Sequence, residues 1–248
     1  TQGFVERRTR VAQRVPRPLA RAPPPAATYA RGSETKAVDT PPTVADFLTV
    51  GAVGAVPLNV PISGAAFYQR VGNKIAMKSL QIRGFIYPGG ANAAAVNEQI
   101  ARIIIFYDRQ TNGAAPAVAD VLLGTKQDGT TETSATSPIN MNNRDRFYIL
   151  ADMQVALPAV GINGATAAST ATIGIDINGN AGDANQGQFN MNRFIKLKGL
   201  EAQYKGNNGN AGDVAAGGIF VLCISSGDGN ASSAWKFAYN ARLRYNDY

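Results

Sequence analysis

Between Trp235 and Tyr245 every odd position is apolar (Trp235, Phe237, Tyr239, Ala241, Leu243, Tyr245), while Lys236, Asn240, Arg242 and Arg244 fall on even ones. A period of two puts one set of side chains on a buried face and the other in water, which predicts a half-exposed strand. Phe147 to Leu157 repeats the pattern, with Phe147, Ile149, Ala151, Met153, Val155 and Leu157 against Arg146, Asp152 and Gln154. Lys74 to Tyr87 starts with Ile75 and Met77 in one phase and continues with Leu80, Ile82 and Ile86 in the other. A bulge near Ser79 keeps that apolar set on one face.

Ile100–Tyr107 and Ile219–Ile224 are unbroken apolar runs between turn signals, as expected of strands in the middle of a sandwich. Cys223, inside the second run, reads as a small buried hydrophobe, since no neighbouring charge would activate its thiol. Val44–Val50 with Val56–Val60, a weak Thr170–Ile177, and Phe194–Tyr204 complete eight candidate strands. The expected fold is all-β: a single eight-stranded antiparallel jelly roll of two sheets. NGNAGD occurs at Asn178–Asp183 and again at Asn208–Asp213. It lacks the ligand set of a calcium loop, and Asn and Gly suit turns because both tolerate positive φ.

Charge divides the chain. Residues 1–31 hold Arg7, Arg8, Arg10, Arg14, Arg17, Arg21 and Arg31 against Glu6 alone, a net of +6, so the total of +7 leaves residues 32–248 with +1. Pro16, Pro18, Pro23, Pro24 and Pro25 forbid a continuous helix there, and no apolar face recurs at helical spacing. A disordered polycationic arm is expected over 1–31, ahead of a jelly-roll domain over 32–248. Such an arm releases counterions from any phosphate backbone, whereas membrane binding needs the missing apolar face. A solvated tail or a nuclear-import signal has a similar composition, and one arm serves two purposes readily.

The 248 residues contain no histidine and one cysteine, which excludes Ser-His-Asp and Cys-His catalysis, His-ligated metals and an intrachain disulfide. Phosphate-loop, GxSxG and HExxH motifs are missing. Asp108 with Asp120, or Asp145 with Asp152, could form an acid/base pair in principle, but surface ion pairing is the simpler expectation. No catalytic residue, cofactor or metal is expected. Phe47–Gln69 and Met153–Ile175 are uncharged and long, yet their Pro, Gly, Asn, Ser and Thr content argues against a membrane span, and no signal-peptide pattern is visible.

Several runs point to a family when read together: GSETKAVDT, QRVGNKIAMKSLQIRGFI, RIIIFYDRQTNG followed by DVLL, INMNNRDRFYILAD, LKGLEAQY, GGIFVLCIS and ARLRYNDY. In this order over residues 32–248 they resemble capsid proteins of circular, Rep-encoding single-stranded DNA viruses, and the satellite necrosis virus capsids look similar too. The resemblance implies a jelly roll whose copies, sixty in the family's smallest shell, tile an icosahedral particle. It implies location in the virion, with passage through the host nucleus during assembly. The arm then lies inside, with Arg7 to Arg31 on the single-stranded DNA genome and Lys36 as the next candidate contact. Asp108, Arg109, Arg144, Asp145 and Arg146 are implied to be structural, as ion pairs at strand ends or subunit contacts. A different class, a carbohydrate- or receptor-binding jelly roll with a basic targeting tail, would display aromatics or a metal site in its loops, and loops 158–170, 178–190 and 206–218 hold little beyond Phe189.

Overall fold

The computed structural model describes residues 35–46, 55–88, 95–96, 99–124, 133–157, 160–161, 189–226 and 235–247. They belong to one unit, Ser33–Tyr248. The strands are β1 (Thr35–Asp39), β2 (Thr43–Asp46), β3 (Val56–Pro57), β4 (Lys74–Pro88), β5 (Ala95–Val96), β6 (Gln99–Asp108), β7 (Phe147–Leu157), β8 (Val160–Gly161), β9 (Phe189–Tyr204), β10 (Val214–Ala216), β11 (Gly218–Ser225) and β12 (Trp235–Asp247).

Two sheets form a sandwich, and every strand pairing is antiparallel. Sheet A runs β1-β12-β4-β9-β10, with β2 also on β12; sheet B runs β3-β11-β6-β7. Treating β1 and β2 as one bent strand, and setting aside the short β10 and the separate two-stranded β5-β8 sheet, leaves eight main strands, the first of which pairs with the last and the second with the seventh. That winding is a jelly roll.

Each sheet faces the other with the phase its alternation set. Ile75, Met77, Leu80, Ile82 and Ile86 of β4 and Phe237, Tyr239, Ala241, Leu243 and Tyr245 of β12 meet Ile103 and Ile105 of β6 and Ile219, Val221 and Cys223 of β11. Along β4 the register skips Lys78: Arg244 pairs with Ser79, and Tyr245 with Met77. This is the bulge that the phase change near Ser79 requires. On the other side of β4, β9 absorbs the same interruption at Lys198 and Gly199, which have φ of 52° and 83°.

The unbroken apolar runs have a second cause. Ile104, Phe106, Phe220, Leu222 and Ile224 point away from the main core and are covered by Val121, Leu122 and Ala135 from the excursion between β6 and β7. Phe106 stacks on Phe220 at 5.8 Å and meets Phe147 edge-on at 5.5 Å. Burying such side chains contributes about 1.5–3 kcal/mol each. The central part of sheet B, β6 and β11, is therefore buried on both faces, while no described element lies over the outer face of sheet A.

The strand pattern starts earlier than its hydrophobicity suggests, at Thr35 in β1 and not near Val44. Phe194–Tyr204 extends back to Phe189. The weak Thr170–Ile177 strand and residues 1–34 lie outside the described residues. No described helix is long and apolar enough to cross a membrane.

Candidate nucleic-acid interface

Alternation on sheet A sets the character of its free face. Inward phases fill the core, so outward phases collect Asn240, Arg242 and Arg244 from β12, Lys78, Arg83 and Phe85 from β4, and Asn190, Asn192, Phe194 and Lys196 from β9, all exposed. Register sets them side by side: Asn240, Arg83 and Asn192 form one row, Arg242, Gln81 and Phe194 the next, and Arg244, Ser79 and Lys196 a third. The acids described on this face are already paired. Asp39 binds Arg242 through two 2.7 Å bonds, and Glu201 lies 2.7 Å from Lys74. Lys78, Arg83, Lys196 and Arg244 therefore have no acidic partner among the described residues. Lys78 donates to Thr35 Oγ1 at 2.7 Å, and Arg83 lies 3.1 Å from the Gln81 amide oxygen when that amide is oriented to accept.

The arm's Arg7, Arg8, Arg10, Arg14, Arg17, Arg21 and Arg31 lie outside the described residues. The first described residue, Thr35, opens β1 at the edge of sheet A.

Lys36 requires a correction. It is only 4% exposed, donates to Asp247 Oδ2 and the Gln69 carbonyl at 3.0 Å each, and joins the two ends of the described body. With two of its three N–H groups taken and the side chain buried, the ammonium does not face a phosphate outside the body. Burial alone would raise the Asp247 pKa, but the Val71 and Gly72 amides and Lys36 outweigh it and hold the carboxyl below its ordinary value.

The other singled-out acids are structural. Asp108, fully buried at the end of β6, accepts from Arg146 Nε and Nη2 at 2.9 Å each and from the Gln110 amide at 2.9 Å. The bidentate bond raises the Arg146 pKa. Asp120 instead accepts from the Ala117 amide, and Asp152 binds Arg102 Nε and Nη2 at 2.8 and 2.6 Å. Arg102 also donates to the Ala135 carbonyl, which ties the excursion down. Arg109 donates to the Asp145 carbonyl, while Arg144 and Asp145 are exposed and 4.0 Å apart. No hydrogen bond joins the carboxylates of either proposed pair; Asp108, Asp120 and Asp152 are instead bonded to the groups just named. In the second NGNAGD copy, Asn210 and Asp213 cap each other's amides at 3.2 Å, so turn chemistry accounts for it.

Arg70 was not singled out by sequence. It is 1% exposed, lies 4.4 Å over the Tyr204 ring and donates to the Gly72 and Gly206 carbonyls. It fastens the loop before β4 to the end of β9. Burial pushes the Cys223 thiol pKa up, as suits an inert core residue. No group of three metal-ligating side chains occurs among the described residues.

An antiparallel jelly roll in which Asp108, Asp120, Asp152 and Asp213 all serve structural bonds belongs to the class of structural β-sandwich proteins. The sequence model of the geminivirus coat protein/nuclear export factor BR1 family matches residues 2–247, and the chain belongs to that family. It is a capsid protein of a single-stranded DNA virus, a structural component of the virion that assembles as an oligomer and binds viral single-stranded DNA. The similarity to satellite necrosis virus capsids is not part of that match. No curated protein sequence matches the chain.

Proposed function

We propose that copies of this chain close into a small icosahedral shell, sixty in the smallest case, and that Arg7, Arg8, Arg10, Arg14, Arg17, Arg21 and Arg31 hold the genome inside it. In this reading residues 1–31 are the genome-binding arm and residues 32–248 the shell domain, and the arm also directs the protein to the host nucleus. The observation that carries the proposal is the segregation of charge: +6 in the first 31 residues against +1 in the rest. Sixty arms would bring about 360 positive charges to the interior, the property needed to offset a phosphate backbone.

A shell needs symmetric contacts burying more than about 1,000 Å² in total. Open edges at β7, β3 and β10 and exposed Phe67, Tyr68, Val71, Met141 and Tyr148 offer such surface. Negative-stain microscopy and sedimentation of the purified chain test assembly, with closed particles expected. Only monomer at high concentration, with and without nucleic acid and at low and high salt, would refute it.

A further inference from the structure

Two grooves open on the uncovered face of sheet A. One, of about 690 Å³, is lined by Arg83, Phe85, Asn190, Asn192 and Asn240. The other, of about 640 Å³, is lined by Phe67, Tyr68, Arg242 and Arg244 together with Thr35 of β1. Asn240 and Arg242 are two positions apart on β12, so the grooves adjoin at roughly 7 Å along the strand.

Each groove combines the same two elements: a guanidinium with no acid opposite and an exposed aromatic ring. Arg83 and Arg244 supply the charge. Phe85 is 38% exposed with its ring 5.4 Å from Tyr87, and Phe67 and Tyr68 are 57% and 54% exposed. A groove with cations along it and rings in its floor fits single strands, because the cations take phosphates and every base has a face to stack. Duplex would present its bases edge-on and leave the rings unused. Among the described residues, the only acid lining either groove is Asp39, which Arg242 neutralises.

Resting on the reading of this chain as a genome-packaging coat protein, we propose that these two grooves bind the single-stranded genome directly. Bases stack on Phe85 and on Phe67 or Tyr68, and Arg83 and Arg244 hold the adjoining phosphates. The arm, with Phe4 and Tyr29 as its only rings, supplies charge and little stacking; the sheet supplies what it lacks.

The test uses the full-length chain, a fluorescent oligothymidine strand and an abasic strand of equal length and charge, at one salt concentration. Wild type should prefer oligothymidine by at least about fivefold, the lower end of what one stacked base contributes. Phe85→Ala should remove most of that preference while leaving abasic binding unchanged, and Phe85→Leu, which keeps an apolar side chain, should do the same. Replacing Arg7, Arg8, Arg10, Arg14, Arg17 and Arg21 with Ala should weaken both strands equally. That last result failing would count against the arm and leave the groove comparison readable. Equal affinity of wild type for the two strands, or an unchanged preference in both Phe85 variants, overturns the proposal. So does a Phe85 variant that binds oligothymidine normally but no longer forms particles, which would make this face a contact between copies.

Discussion

Removing Arg146 should cost more stability than removing its partner Asp108, although both changes break the same bidentate pair. Asp108 is fully buried, and without the guanidinium it keeps only the Gln110 amide. Stranding a buried charge in this way costs about 3–5 kcal/mol. Arg146, by contrast, is 31% exposed and lies 4.7 Å over the Phe147 ring, so in Asp108→Ala it turns to water and keeps a favourable contact. The loss there is the charged hydrogen bonds alone, about 2 kcal/mol. The double variant Asp108→Ala/Arg146→Ala leaves no orphan charge and should fall near the Asp108→Ala value, far from the sum of the single changes. Urea unfolding of the three variants gives these values. In thermal melts each kcal/mol corresponds to about 2–4 °C for a chain of this size. The pair closes the excursion that covers sheet B, so Arg146→Ala should also loosen residues 109–146 in hydrogen exchange. An Arg146→Ala cost no greater than that of Asp108→Ala, or a double variant equal to the sum, would refute the reasoning.

Stability should decline in acid through Asp247 and Asp39, each held below the ordinary 3.8, Asp39 chiefly by its hydrogen bonds to Arg242. A lowered native pKa gives stability that is full above the unfolded value and lost as pH falls through the native one, so urea midpoints should drop between about pH 5 and pH 2, less steeply in Asp247→Asn; an unaltered slope would contradict this. Cys223 should resist a thiol reagent in the native protein at mildly alkaline pH and react at once in urea, with rapid native labelling as the contrary result. Binding of single strands should weaken with salt at a slope of up to about −4 in log K against log salt for six arm contacts, and an affinity indifferent to salt would count against the arm.

What the sequence made legible was whatever a local period encodes. The alternation in Trp235–Tyr245 and the phase change near Ser79 are properties of neighbouring residues, and they survive unchanged in β12 and β4. β1 was missed because TKAVD has too few residues for a period. It is held by Asp39 on Arg242 and Lys36 on Asp247, about two hundred positions away. The same non-locality misled the reading of Lys36 and hid Arg70: a cation in sequence reads as surface until its distant carboxylate, carbonyl or ring is known. The second core was equally hidden, since Val121, Leu122 and Ala135 are scattered in a segment without periodicity. For the interface, the outward phase of β12 was readable, but its union with Arg83, Phe85 and Asn192 depends on which strands are neighbours.

In the proposed reading the arm packages the genome and the body builds the shell. Deleting residues 1–31 removes six net positive charges from a segment with little apolar surface, so the body should still melt cooperatively and still form particles. The direct measurement is the 260/280 nm absorbance ratio of purified truncated particles beside full-length ones. The account predicts truncated particles that are empty or carry far less nucleic acid. Equal nucleic-acid content in the two, or a truncated chain that no longer folds, would contradict it.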